Sequence, residues 1–567
     1  MKAKRKMEVP EGRVLALIDA GFDAFSRADH NAAARAADQL LALEPDQVDA
    51  LYLSGLVAHA REDYVAAQGF WERAILAKRD FPDPYIALLQ LLQRQDRKDD
   101  FSAVYELARN AVGARVKTQA QLADLLVAHD PPRALAEFDA LLLGGASDIE
   151  VIGGKMRALI ALNRPHDAAA IARDVFDRNP DGVDEAVFLS IALIESEQLA
   201  EAESLLSSAI VRHPGNYALH FNSCLGLHRS GNDAGFDRRM HGLLERFPDD
   251  PQAYFVLAFR DLARGRFVDG FARYESRKRI AGAHVIRCAP VPEWRGEAIP
   301  GKRLMVLDEQ GYGDNLMFAR FLPQLLNLGM HVTLVCPGPL YALLAWQPAL
   351  RRVRVVNRLA ARQWDGVDRY IPIMSLPHVL GIDDPVRGVS FPYLQAPPEV
   401  VEHWRGRLNP GPELKVGIVW TANARQSLGR ERSIAWDDLM PLFGVPGTRF
   451  YSLQVGRGRP ERFCPGVEDL GAELHDFADT FAVVSELDLV ITVDTSVAHA
   501  AGALGKACWV MTPFLTDWRF SADANDVSLW YPQTRVFRQQ RRGEWRGVVL
   551  AVREHLENLA SQRGSAA

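Results

Sequence analysis

Cysteine is scarce in this chain and forms no pattern. The five cysteines among 567 residues, Cys224, Cys288, Cys336, Cys464 and Cys508, are odd in number and share no CxxC spacing. That excludes a disulfide framework and the common zinc spacings, and it predicts a reducing compartment. Long apolar runs are also missing: no uncharged stretch reaches the roughly 20 residues that a membrane helix needs. The basic start Met1–Lys6 leads into a segment interrupted by Asp19, Asp23 and Arg27, so no signal peptide is read and the cytoplasm is expected. Positive charge is not in excess. The formal net charge is −6, and nothing points to nucleic acid. GxxxxGK[ST], HExxH and Asp-x-Asp are all absent, which excludes a P-loop and leaves no metal-ligand pattern, so no metal is expected.

What is present is a soluble globular composition, 48% apolar and 24% charged, with length for roughly three to four units. From about Val14 to Arg279 apolar residues recur with helical spacing and Ala is abundant. Gly21 and Gly55 lie 34 residues apart, as do Ala33 and Ala67, Ala168 and Ala202, and the series Pro180, Pro214, Pro248. A small residue in the first helix, Ala in the second and Pro at the end, on a 34-residue period, is the tetratricopeptide (TPR) pattern. Repeats are predicted at 14–47, 48–81, 149–182, 183–216, 217–250 and 251–283. Residues 82–148 read as helical but off-register, with Pro131-Pro132 as a break. Such arrays commonly present a groove to a polypeptide, and the alternative is a scaffold or dimer surface.

Proline and glycine break the pattern near 284–302, read as a linker. Beyond it strands and helices alternate in two lobes, 303–398 and 399–560, separated by Pro-rich sequence. The first lobe has expected strands 303–307, 331–335, 352–356 and 370–373, with helices 315–328 and 340–346. The second has strands 415–420, 449–454, 488–493 and 507–511, with helices 434–443, 478–486 and 496–504. The fold class is thus α repeats followed by α/β. Gly311–Asp314 and Asp494–His499 both fall at carboxyl ends of expected strands, where α/β lobes bind ligands.

Gly311-Tyr-Gly313-Asp314 is not a dinucleotide fingerprint, because position 316 is Leu. Asp314 can cap a helix or serve as a general base. Asp494-Thr495-Ser496 can cap a helix or hold a phosphate, and His499 can bond a nucleotide or pack on the turn. Arg425, Arg430 and Arg432 lie in a loop able to clamp phosphate, although surface charge is the simpler reading of the first two.

Together, Glu309–Asp314, Val419–Asn423, Arg432-Ser433-Ile434, Ser452-Leu-Gln454, Asp476–Thr480 and Val493–Gly502 resemble the lipopolysaccharide heptosyltransferase-like glycosyltransferases, above all the subgroup fused to TPR repeats. The resemblance implies a GT-B fold of two Rossmann-like lobes and a metal-independent, inverting transfer from a nucleotide sugar. It implies Asp314 as the base, with Gly311, Gly313, Asn423, Arg432, Gln454, Asp494, Thr495, Ser496 and His499 around the donor. Arg432 stands where members often have Lys, and Thr495-Ser496 replaces Thr-Gly or Thr-Ala. Asp517-Trp518-Arg519 resembles a motif of the TPR-fused subgroup, and no role for it follows from sequence. Fusions of this kind that modify flagellin suggest a protein acceptor at Ser or Thr, held by the repeats, with CMP-nonulosonic acid or ADP-heptose as donor. Two other readings stay open: a lipid A-core or polysaccharide transferase that uses its repeats for recruitment, and a non-catalytic adaptor.

Overall fold

The computed structural model describes residues 11–566 except 62, 96, 114, 281–288, 359–363, 409–410, 423–430, 457 and 522. Sixteen helices come first, in eight consecutive pairs. They are α1–α2 (Glu11–Ser26, His30–Leu43), α3–α4 (Val48–Ala60, Tyr64–Ala77), α5–α6 (Pro82–Arg94, Lys98–Ala111) and α7–α8 (Val116–Val127, Pro131–Leu143). There follow α9–α10 (Ile149–Ala161, Pro165–Arg178), α11–α12 (Val183–Glu195, Leu199–Arg212), α13–α14 (Tyr217–Arg229, Asp233–Arg246) and α15–α16 (Pro251–Ala263, Phe267–Tyr274). The 34-residue period has a steric cause. A Cβ on Gly55 would stand 2.2 Å from Trp71 Nε1, so α3 and α4 can cross only with glycine there. Ala67, Ala168 and Ala202 are buried at equivalent crossings.

Residues 82–148 correct the expectation of an off-register stretch. They form two regular pairs, and the phase slips because α9 starts 33 residues after α7 rather than 34. Pro131 and Pro132 do not interrupt the array. They open α8, where a missing N–H costs nothing, and Asp130 caps that helix through the Arg133 N–H at 3.2 Å.

The chain divides into two compact units between Asp249 and Asp250. The last pair, α15–α16, therefore belongs with the sheets that follow. Phe267, Phe271 and Tyr274 of α16 are buried in one apolar cluster with Trp294, Phe318, Trp518 and Trp530. Phe271 meets Trp518 and Trp530 edge-on at 6.2 and 6.1 Å between ring centres. Burying each such ring contributes about 1.5–3 kcal/mol.

The first lobe of this second unit holds β1 (Arg303–Leu307), α17 (Tyr312–Phe318), α18 (Leu322–Asn327), β2 (His331–Cys336), α19 (Gly338–Trp346), β3 (Arg354–Asn357), β4 (Arg369–Pro372) and α20 (Leu376–Val379). The expected helix 315–328 is two helices joined by a 3₁₀ turn at Ala319–Phe321, with Pro323 in the first turn of α18. The second lobe holds α21 (Pro398–Arg407), β5 (Leu414–Val419), α22 (Met440–Phe443), β6 (Thr448–Ser452), β7 (Val467–Asp469), α23 (Phe477–Glu486), β8 (Leu489–Val493), α24 (Ser496–Ala503), β9 (Cys508–Thr512), β10 (Thr534–Arg538) and α25 (Trp545–Ala566). The expected helix 434–443 is likewise split: a 3₁₀ turn at Trp436–Leu439 runs into α22, which carries Pro441 in its first turn. Strands β7 and β10 and helix α25 went unpredicted.

All pairings in the two sheets are parallel. The orders are β3-β2-β1-β4 and β10-β9-β8-β5-β6-β7. In each, the first strand of the lobe sits where the order reverses, and the crevice beyond the carboxyl ends at that point is where doubly wound sheets take ligands.

Candidate functional site

Two strand ends build the site. β1 runs into Asp308–Gly311 and then α17; β8 runs into Asp494-Thr495 and then α24. The two helix starts touch. A Cβ on Gly313 would lie 2.5 Å from Cδ2 of His499. Gly313 is therefore needed for contact between the lobes, not for an unusual backbone angle.

Asp314 is the third residue of α17, not its cap. Its Oδ2 accepts the Gly311 N–H at 3.0 Å, which reciprocally caps the helix. Its Oδ1 accepts from Arg519 Nε at 2.6 Å, in an ion pair with side chains only 12% and 11% exposed. A carboxylate offers about four lone-pair sites, so both oxygens keep room for a further donor.

Arg519 is the hub. Its Nη2 donates to Gln310 Oε1 at 2.9 Å, its Nη1 donates to Asp517 Oδ1 at 3.0 Å, and its guanidinium lies 4.3 Å from the Trp518 ring centre. Burial works against the charge, but Asp314 and Asp517 outweigh it and hold Arg519 protonated. Gln310 has φ of 60°, a left-handed conformation that costs a non-glycine residue about 1–3 kcal/mol. Both ends of its amide are gripped. Nε2 donates to Tyr274 Oη at 2.7 Å, and Oε1 takes the Arg519 bond. Burial pushes the Tyr274 phenol up to about 12, so it stays neutral. One residue earlier, Glu309 forms a fully buried two-pronged pair with Arg277 at 2.6 and 2.8 Å. The β1–α17 turn is thus held by the end of the last helix pair on one side and by the second lobe on the other.

Asp494, 7% exposed, receives Arg432 Nη1 at 2.8 Å. Burial, then the nearby Asp517, raise its carboxyl to about 6, with Arg432 pulling the other way. Thr495 occupies the cap position of α24, but its hydroxyl pairs with Thr492 Oγ1 at 3.0 Å and does not cap the helix. His499 is buried, with Nδ1 2.8 Å from Tyr531 Oη. Burial, then Arg519 and Arg320, lower its pKa well below the ordinary value, so the ring is neutral.

The fold thus brings Gly311, Gly313, Asp314, Arg432, Asp494, Thr495, Ser496 and His499 to facing ends of two lobes. Gln454 ends β6 and serves the backbone: its Oε1 accepts from the N–H groups of Trp420 and Thr421 at 3.3 and 3.0 Å, joining two strand ends. Asn423, Arg425 and Arg430 lie outside the described residues. Asp476 caps α23 through the Ala478 and Asp479 N–H groups, and Asp479 accepts from Trp404 Nε1 at 3.0 Å. Tyr274, Arg277, Gln310 and Arg519 were not assigned from sequence. The only signal was the unexplained Asp517-Trp518-Arg519 run. Among the described residues no three His, Cys, Asp or Glu side chains cluster to hold a metal ion, and no helix is long and apolar enough to cross a membrane.

No model of a known protein family matches the chain. It is similar to protein FlbA of Caulobacter vibrioides, 27% identical over 481 residues that cover 72% of this chain and 79% of that protein. Among solved structures, a tetratricopeptide repeat protein from Parabacteroides merdae gives a TM-score of 0.32 at 12% identity, covering 47% of this chain and 93% of its own. The dodecameric glycosyltransferase TibC from enterotoxigenic E. coli gives 0.32 at 14% identity, covering 44% of this chain and 67% of its own. Scores at this level decide nothing about fold or function.

Proposed function

We propose that the second unit transfers a sugar from a nucleotide-sugar donor to a hydroxyl of a protein acceptor, with inversion and without a metal. The observation that carries this reading is the meeting of two strand-end turns across one crevice. One bears a carboxylate, Asp314, and the other bears a cation, Arg432, beside a helix start. The acceptor hydroxyl attacks the anomeric carbon as its proton passes to Asp314, and the sugar–phosphate bond breaks with its electron pair leaving on the phosphate. Arg432 and the first N–H groups of α24 stabilise the charge that collects there. Arg519 keeps Asp314 ionised and aimed. This pairing lowers basicity, which suits a step in which the leaving group departs ahead of proton transfer. Resemblance of the motifs supports the donor class, and the helix pairs support a polypeptide acceptor, for which flagellin is the first candidate.

The test uses the full chain. Nucleotides including CMP and ADP are titrated by calorimetry, and transfer from the matching labelled donor to flagellin is followed by mass. One nucleotide should bind saturably and lose affinity in Arg432→Ala. Asp314→Asn should bind it normally while transfer falls by about 10²–10⁴. Absence of donor turnover with any acceptor overturns the reading. Turnover onto lipopolysaccharide alone reassigns the acceptor.

A further inference from the structure

The first unit supplies its own internal comparison, because residues 34 apart take equivalent places on α12 and α14. The stripe Gly235, Arg238, Arg239, Gly242 and Arg246 on α14 corresponds to Glu201, Ser204, Leu205, Ser208 and Arg212 on α12. The final arginine is a feature of the repeat. Arg212 donates to the Pro180 carbonyl at 3.3 Å and Arg246 to the Pro214 carbonyl at 3.2 Å, so each ties its helix to the preceding turn. The other four places depart together, two toward glycine and two toward positive charge.

Those departures line a cavity of about 510 Å³ formed by α12, α13 and α14, a size that suits ligand binding. Arg238, Arg239 and Arg246 face it with Ile210 and Leu227. Its one acid, Glu203, accepts from Arg239 Nη2 at 3.1 Å, which leaves two positive charges in excess. Arg238 is exposed. Gly242 is the telling residue. Glycine weakens a helix, and a Cβ there would meet no atom within 4 Å, so packing does not require it. What glycine provides at that place is open space.

We propose that this cavity docks an acidic polypeptide segment, its carboxylates on Arg238 and Arg246 and its aliphatic side chains on Ile210 and Leu227. Charge complementarity selects the partner class. No Phe, Tyr or Trp lines the cavity, so nothing there stacks a nucleotide base. The proposal is independent of the chemistry assigned to the second unit.

The test titrates the full chain with a short fluorescent peptide of alternating Glu and Leu, read by anisotropy, beside a control peptide with Lys for Glu. Saturable binding of the acidic peptide that weakens with salt is expected. Arg238→Glu should weaken it by about tenfold, since reversal removes an attraction and adds a repulsion, while Arg238→Lys largely retains it. Gly242→Leu should abolish binding while the melting temperature stays level or rises, because leucine favours the helix and fills the space. No saturable binding to the native chain, equal binding of the Lys peptide, or unchanged binding in both Arg238→Glu and Gly242→Leu overturns the proposal.

Discussion

Gln310 shows how one residue's strain is held from two sides. Its left-handed backbone persists because Tyr274 and Arg519 each bond one end of its amide. Gln310→Gly removes the backbone cost but also the grip, so we expect unchanged or higher thermal stability together with slower transfer. A variant with native turnover would show that the clamp does not matter. Tyr274→Phe keeps the ring and loses one hydrogen bond; we expect about 1 kcal/mol of destabilisation in denaturant melts and a lower kcat at unchanged donor KM. Acid sensitivity is set by two groups of opposite sign. His499 has a depressed folded pKa, so its contribution is present above the ordinary 6.5 and lost as pH falls below it. Asp494, raised to about 6 from 3.8, does the reverse: its folded form takes up a proton sooner, which stabilises the fold as pH drops from about 6 toward 4. Each amounts to as much as about 1.4 kcal/mol per pH unit within its window, so they largely cancel. Asp494→Asn should therefore lose stability more steeply than the native chain between pH 6.5 and 4 in pH-dependent melts.

At the scale of elements, close approach governs both units. Gly55 lets α3 meet Trp71 of α4, and Gly313 lets α17 meet His499 of α24. Gly55→Ala should cost about 1–3 kcal/mol by overpacking, with no effect on chemistry in the other unit. Gly313→Ala should cost a similar amount and also slow transfer, because it pushes apart the two helix starts that form the site. Equal activity with lowered stability would make Gly313 a packing residue only. Gly55 was legible from its 34-residue spacing. Gly313 was legible as important, but its reason was not: sequence suggested a tight turn near a ligand, whereas the neighbour that demands glycine is His499, 186 positions away in the chain.

At the scale of the whole molecule, the boundary between units does not follow the boundary between repeat and sheet. The periodicity runs through α15–α16, yet that pair shares its core with the lobes. A fragment starting at residue 250 should fold and melt cooperatively. One starting at 284 removes Arg277 from a buried pair and leaves Glu309 uncompensated, at about 3–5 kcal/mol, besides exposing Trp518 and Trp530. It should be insoluble or non-cooperative in circular dichroism. Cooperative melting of the shorter fragment would separate the last pair from the catalytic core.

Local pattern alone determined the helix pairs, the parallel α/β lobes and the two strand-end turns. Each depends on spacing within a few dozen residues: small residues at helix crossings, apolar runs for buried strands, polar turns at their ends. Tertiary structure alone decided which charges meet. Arg519 reaches Asp314, Arg277 reaches Glu309, and Tyr274 reaches Gln310 across separations that no periodicity records. An ion pair between distant segments leaves no regular trace in a single sequence, because its partners are chosen by the packing of whole elements.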